Sequence, residues 1–62
     1  MSRWYMVRLT DGKGNYRDIE SSGNTRRSAE RTSRSKLRDI IGDEVKKWST
    51  TRIVPCAPPV DR

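Results

Sequence analysis

The sequence contains no histidine, no phenylalanine and only one cysteine among its 62 residues. Without histidine the chain cannot build a Ser-His-Asp or Cys-His arrangement, and it lacks the usual general base at neutral pH. The single cysteine, Cys56, cannot form an internal disulfide, and it supplies one of the about four ligands that a structural zinc site needs. We therefore expect a protein that is not an enzyme, binds no metal or other cofactor, and carries Cys56 as an ordinary packed or half-exposed thiol.

Long hydrophobic runs are also missing. No stretch of 18 or more apolar residues occurs, so we expect no transmembrane helix and no membrane partner. The N-terminus meets a charge at Arg3 and again at Arg8, which interrupts the apolar stretch that a secretory signal needs. A chain of about 60 residues buries only about 60% of its unfolded surface, which is enough for one thin core. These features predict a cytoplasmic, monomeric, single-domain protein.

Basic charge is the most abundant chemical feature of the chain. Fourteen Lys and Arg against eight Asp and Glu give a net charge of 14 − 8 = +6. Residues 24–38 carry six of these cations and one anion, Glu30, so this stretch alone holds 6 − 1 = +5. Its cations are Arg26, Arg27, Arg31, Arg34, Lys36 and Arg38.

Four of these arginines recur at helical spacing. Arg27, Arg31, Arg34 and Arg38 stand at i, i+4, i+7 and i+11, which places them on one helix face that we expect to be exposed. An arginine fork makes bidentate bonds to phosphate or carboxylate, so this face, together with Arg26, is a candidate surface for nucleic acid or for an acidic protein. The alternative is a solvated face that keeps a small domain soluble. Glu30 and Arg34 are spaced for an i,i+4 ion pair.

The sequence pattern predicts the order β-β-α-β. Residues 3–9 and 16–21 have strand character and flank an Asp-Gly turn, which favours an antiparallel hairpin. Residues 26–41 lack Pro and Gly and indicate a helix, whereas residues 45–54 regain strand character. We expect an α+β fold in which one helix packs across a three-stranded antiparallel sheet. The domain would span residues 1–55, followed by a flexible Pro-containing tail over residues 56–62.

The helix has recognisable ends and an apolar side. Asn24 or Thr25 can cap its first turn, and Gly42 can end it in a left-handed conformation. The apolar stripe is expected to consist of Ala29, Ser33, Leu37, Ile40 and Ile41. Pro55 is expected to stop the third strand, because proline has no N–H to donate.

Four aromatic side chains could serve either a core or a binding surface. Trp4, Tyr5, Tyr16 and Trp48 are all available for stacking on bases. We nevertheless expect Trp48 and at least one of Trp4 and Tyr5 in the core, since so small a domain cannot spare large side chains. The patterns of RNA-recognition motifs, zinc fingers and helix-turn-helix proteins are absent, so sequence-specific DNA reading is not expected.

The third strand and its exit carry a family resemblance. Residues 51–57, Thr-Arg-Ile-Val-Pro-Cys-Ala, resemble the C-terminal end of the small early proteins by which lytic podoviruses inhibit the host RNA polymerase. Those proteins share this chain length, the order β-β-α-β, a Thr-Arg-aliphatic-x-Pro-Cys run and a short Pro-containing tail. The positions of Trp4 and Trp48 also match aromatic positions in that family.

The resemblance implies a phage-encoded, non-enzymatic inhibitor in the cytoplasm of an infected bacterium. Family members bind the jaw of the largest polymerase subunit near the downstream DNA channel and hinder formation of the open promoter complex. Two arginines on their last strand meet acidic residues of the jaw. Arg52 matches the first of these positions and Val54 stands at the second, while the family's acidic helix is replaced here by a basic one. Thr51, Arg52, Val54 and Trp48 are thus the candidate partner-binding residues.

Two alternatives follow from the same residues. One is a small basic protein that contacts nucleic-acid phosphates non-specifically through its helix arginines. The other is a host-takeover protein of the same fold that binds a different acidic target. Trp48, Thr50, Arg52 and Val54 alternate onto one predicted strand face, apart from the helix, so the sequence predicts two separate surfaces.

Overall fold

The structure, a computed structural model, describes residues 3–58. Strand β1 spans Arg3–Thr10, β2 Tyr16–Gly23 and β3 Ser49–Cys56, while helix α1 spans Arg26–Ile41 and a short 3-10 segment spans Gly42–Lys47. The three strands form one antiparallel sheet in the order β2-β1-β3. The predicted α+β fold with the order β-β-α-β is confirmed.

The β1–β2 hairpin closes through a turn that Asp11 holds in place. One Asp11 carboxylate oxygen accepts from the Lys13 backbone N–H at 2.7 Å, and the other accepts from the Asn15 side-chain amide at 2.9 Å. Gly12 and Gly14 both have positive φ, at 79° and 93°, as expected for a tight reversal. The strands run slightly further than predicted and pair from Thr10–Tyr16 to Arg3–Gly23.

The core lies between one face of β1 and the helix. Val7 and Leu9 are completely buried and Tyr5 is 5% exposed, so the prediction that Tyr5 or Trp4 joins the core is confirmed through Tyr5. Other parts of the chain complete the core with Ala29, Leu37 and Val45. Trp48 packs against this core from its margin and is half-buried.

Helix α1 starts and ends where the sequence predicts. The Thr25 hydroxyl accepts from the Ser28 N–H at 3.1 Å, so Thr25 is the N-cap, and the N–H of Gly42, at φ 70°, donates to the Arg38 carbonyl. Three of the five predicted stripe residues are buried, namely Ala29, Ser33 and Leu37, while Ile41 is half-buried. Ile40 is 58% exposed, so its placement in the stripe was wrong. Ile40 lies within about 20° of both Ala29 and Ser33 at 100° per residue, so its angular position on the helix does not explain its exposure.

Small residues bring the helix close to β2. A Cβ atom added at Gly23 would lie 2.7 Å from the Ala29 backbone nitrogen, and Ser21 and Ser33 are fully buried. The Ser33 hydroxyl donates to the Ala29 carbonyl at 2.9 Å, which satisfies it within the helix. Helix α1 consequently contacts β2 more than β3 and leaves the inner face of β3 partly open.

The third strand begins later and ends later than predicted. Residues 42–47 form the 3-10 segment instead of the strand expected from residue 45. Val45 and Trp48 stand at i and i+3, which align on one side of a 3-10 turn, and both pack on the core there. Pro55 lies inside β3 and does not stop it, because β3 is an edge strand where a missing N–H is tolerated. Cys56, predicted to open the tail, is the last strand residue, and residues 59–62 of that tail lie outside the described part.

A bulge in β3 overturns the predicted alternation of this strand. Arg52 lies opposite Arg8 and Thr50 lies opposite Leu9, so Thr51 is an extra residue in the ladder. Opposite residues share a sheet face, which puts Thr50 on the inner face with Leu9 and keeps Arg52 on the outer face with Arg8. The prediction that Thr50 and Arg52 share a face was therefore wrong. The Thr51 hydroxyl donates to the Arg8 carbonyl at 3.3 Å.

Candidate anion-binding surface

A groove runs between helix α1 and strand β3, where the helix leaves the sheet partly uncovered. One part is lined by Arg27, Glu30, Arg31, Arg34, Trp48, Ser49 and Thr50. The adjoining part is lined by Arg26, Glu30, Thr50, Thr51, Arg52 and Ile53. Both parts share Glu30 and Thr50, so basic residues of the helix border the same groove as the candidate partner-binding strand.

The helix arginines do not form one exposed face. Arg27, Arg31 and Arg38 are exposed, as is Arg26, but Arg34 is half-buried. Its guanidinium donates to the Trp48 carbonyl at 2.9 Å and to the Val45 carbonyl at 3.0 Å. The Val45 carbonyl also accepts from the Trp48 backbone N–H at 3.0 Å, so the arginine fork adds a second donor to it and binds the nearby Trp48 carbonyl as well. The prediction of an exposed Arg34 was wrong.

The expected Glu30–Arg34 ion pair does not form either. Within residues 3–58 the ion pairs are Arg8–Asp18 and Glu44–Lys47. Arg34 reaches towards β3 instead, so Glu30 stays in the groove as a single carboxylate among arginines. Arg38 is exposed in the last helical turn but does not line the groove.

Trp48 connects the groove with the core. Its ring packs on the core, and it also lines the groove beside Arg27 and Arg31. An aromatic edge next to two guanidinium groups can contact an apolar side chain or stack on a nucleobase. Arg34 fixes the Trp48 backbone and thereby the position of this ring.

The outer face of the sheet lies opposite the face on which the helix packs. Trp4, Met6, Val54 and Cys56 are half-buried there and form an apolar strip. The Lys36 ammonium donates to the Glu20 carbonyl at 2.7 Å and lies 5.9 Å from the centroid of the Trp4 ring. Lys36 thus reaches past strand β2 and occupies that edge of the sheet.

A charged row crosses the outer face next to the apolar strip. Arg8 lies between Asp18 on β2 and Arg52 on β3 in the strand register. The Arg8 Nε donates to one Asp18 oxygen at 2.7 Å and an Nη donates to the other at 3.0 Å. The hydrogen bonds from Arg8 lower the pKa of Asp18, and the charges of Arg8 and Arg52 lower it further. The same hydrogen bond raises the pKa of Arg8.

Strand β3 therefore separates two adjoining surfaces. The groove with Trp48 and the exposed helix arginines lies on one side, and Arg52 with Val54 lies on the open sheet face. The sequence predicted two separate surfaces, but in the structure only the width of strand β3 lies between them. Thr51 and Arg52 of this strand also line the groove. Sequence reasoning missed Arg8, because its pairing with Asp18 depends on the longer turn over residues 11–15, which places Thr10 opposite Tyr16.

Comparisons with protein-family models, with curated proteins and with solved structures found no match to the chain. No helix within residues 3–58 is long and apolar enough to span a membrane. In the same described range, Cys, Asp and Glu form no group of three or more that could hold a metal ion.

Proposed function

We propose that this protein is a phage-encoded, non-enzymatic inhibitor that binds the bacterial host RNA polymerase in the cytoplasm of the infected cell. Its site would be the jaw of the largest subunit near the downstream DNA channel, where binding hinders formation of the open promoter complex. The observation that carries the proposal is the position of β3. This strand presents Arg52 on an open sheet face and borders a groove that holds Arg26, Arg27 and Arg31.

The resemblance at residues 51–57 supports the same contact. Arg52 is exposed, and it makes no ion pair with a carboxylate among residues 3–58. An exposed guanidinium at an edge strand is available for bidentate bonds to a carboxylate of a partner. Val54 beside it supplies apolar surface in place of a second charge.

The basic helix α1 would attract the protein to an acidic surface of its partner, which an acidic helix cannot do. A net charge of +6 on 62 residues steers the protein towards an acidic surface and raises the association rate at low salt. Arg26, Arg27 and Arg31 would meet acidic side chains that lie beside the Arg52 contact, whereas Arg34 is engaged within the fold.

Capture from purified components tests the proposal. The tagged protein should retain bacterial RNA polymerase and reduce open-complex formation on a promoter with the housekeeping sigma factor. Arg52→Glu should abolish both effects. Lys13→Glu, an equal charge change in the exposed hairpin turn, should abolish neither. Polymerase capture that is equally strong with Arg52→Glu would contradict the assigned contact, and no capture by the unaltered protein would contradict the function.

A small nucleic-acid-binding protein is the second candidate, and Trp48 is the observation that favours it. This half-buried ring lines the same groove as Arg27 and Arg31, so a base could stack on Trp48 while the two arginines bind neighbouring phosphates. Single-stranded DNA binding would then show a steep dependence on salt. Absence of binding at low salt would exclude this candidate.

A further inference from the structure

We propose that Arg8 and Arg52 together form a carboxylate-binding site on the open face of the sheet, for an acidic segment of a protein partner. This inference deepens the proposed function and rests on it for the partner's identity. The two arginines come from different strands, 44 positions apart in the chain (52 − 8), and lie directly opposite each other in the β1–β3 register. Their guanidinium groups therefore start from neighbouring backbone positions on the same face.

Arg8 is held in place for such a role. Asp18 accepts from its Nε and from one Nη, and the Tyr16 ring centroid lies 4.3 Å from its Cζ. These contacts use two of the five N–H donors of the guanidinium and leave the others for a ligand. A side chain already fixed in one conformation loses less entropy when a ligand binds.

Arg52 adds a second cation to the row Asp18–Arg8–Arg52, which contains only one carboxylate. Like charges directly opposite each other in a sheet are destabilising, and Asp18 compensates only one of the two arginines. One arginine, Arg8, is enough to pair with Asp18. Arg52 makes no ion pair within residues 3–58, so an incoming carboxylate would meet two guanidinium groups, one from each of the two strands.

The surroundings favour a protein carboxylate over a nucleic-acid strand. Asp18 and Glu20 lie on the same face as the two arginines, on the β2 side of Arg8. The phosphates of a nucleic-acid strand would be repelled by these carboxylates, whereas a single carboxylate of a protein can bind at the arginine pair alone. Met6 and Val54 occupy the next row and offer apolar contact to the neighbouring residues of an acidic protein segment.

Side-chain NMR of the intact protein tests the site directly. The probe is a synthetic peptide of alternating glutamate and valine, and the Nε–H signals of Arg8 and Arg52 should shift together on its addition. Arg52→Gln should weaken peptide binding by about tenfold or more, because hydrogen bonds between charged groups are lost. Arg8→Lys keeps the charge but loses the fork, and it should also weaken binding. Arg38→Gln, on the exposed helix, is the matched control.

Stability measurements separate a binding role from a structural one. Arg52→Gln should leave the thermal midpoint unchanged or raise it, because it removes a like-charge contact. A lower midpoint, or unchanged peptide affinity in both variants, would overturn the proposal. Equal shifts of both arginine signals with single-stranded DNA would overturn the assignment to carboxylates.

The site and the proposed function can fail independently. Peptide binding without polymerase capture would contradict the polymerase assignment and leave the arginine pair standing. Polymerase capture that Arg8→Lys does not weaken would contradict the arginine pair and leave the inhibitor function standing.

Discussion

The Arg34 guanidinium lies 2.9 Å from the Trp48 carbonyl oxygen and joins the middle of helix α1 to the start of strand β3. The same group binds the Val45 carbonyl, so one side chain closes the 3-10 segment against the helix. The Arg34 guanidinium is therefore occupied within the fold, where it helps to shape the candidate binding surface. The shape of the groove depends on this contact, because Arg34 holds the backbone at Trp48, and Trp48 and Thr50 both line the groove.

Replacement of Arg34 should destabilise the fold more than replacement of its neighbours. Arg34→Met keeps the aliphatic length but removes the donor to the Trp48 carbonyl and one of the two donors to the Val45 carbonyl, which costs about 1–3 kcal/mol. Urea unfolding of this variant should show that loss. Arg31→Met, on the exposed side of the groove, should change the free energy of unfolding by less than about 0.5 kcal/mol. Equal effects of the two substitutions would show that the Arg34 contacts contribute nothing.

The close approach of the helix to β2 makes a second prediction. In Gly23→Ala the new Cβ would lie 2.7 Å from the Ala29 backbone nitrogen, which cannot move without shifting the helix. We expect a loss of about 1–3 kcal/mol, measured by thermal or urea unfolding. Ser22→Ala, at the adjacent position, meets no such contact on the open face and should be nearly neutral. An unaffected Gly23→Ala variant would mean that the helix can move away at little cost.

Much of the fold follows from local sequence features. The Asp-Gly turn, the Thr25 cap and Gly42 act within a few residues, so the hairpin and the helix could be predicted from the sequence with nearly correct bounds. The 3-10 segment could not be predicted in this way, because its local sequence is strand-like and only tertiary packing places Val45 in the core. The Thr51 bulge depends on the pairing with β1.

The candidate site was less predictable than the fold because its contacts are long-range. Helical spacing placed Arg34 with the exposed arginines, yet the side chain borders the buried stripe and reaches two carbonyls 11 and 14 positions away. The Arg8–Arg52 pair depends on the register between β1 and β3, which the bulge shifts by one residue. Composition alone predicted an anionic partner, and only the register shows which cations lie together.

Acid should weaken the fold through Asp18. Its pKa is lowered in the folded state from an ordinary value of 3.8, chiefly by the hydrogen bonds from Arg8. A lowered folded-state pKa adds stability above the unfolded-state pKa, and this contribution disappears as the pH falls through the folded-state value. Asp18→Asn should therefore be less stable than the unaltered protein at pH 7, and the difference should shrink as the pH falls below 3.8. Asp39→Asn is the control, and an Asp18→Asn deficit that persists in acid would contradict this origin.

The salt dependence of binding should distinguish the arginines that line the groove from one that lies outside it. If single-stranded DNA binds, each phosphate contact contributes about 0.7 to the slope of log affinity against log salt. Arg27→Gln and Arg31→Gln should each lower the slope by about that amount, because both side chains are exposed along the groove. Arg38→Gln changes the net charge equally but lies outside the groove, so the slope should stay the same. Equal reductions in all three variants would indicate that DNA responds to net charge alone and that the groove does not select it.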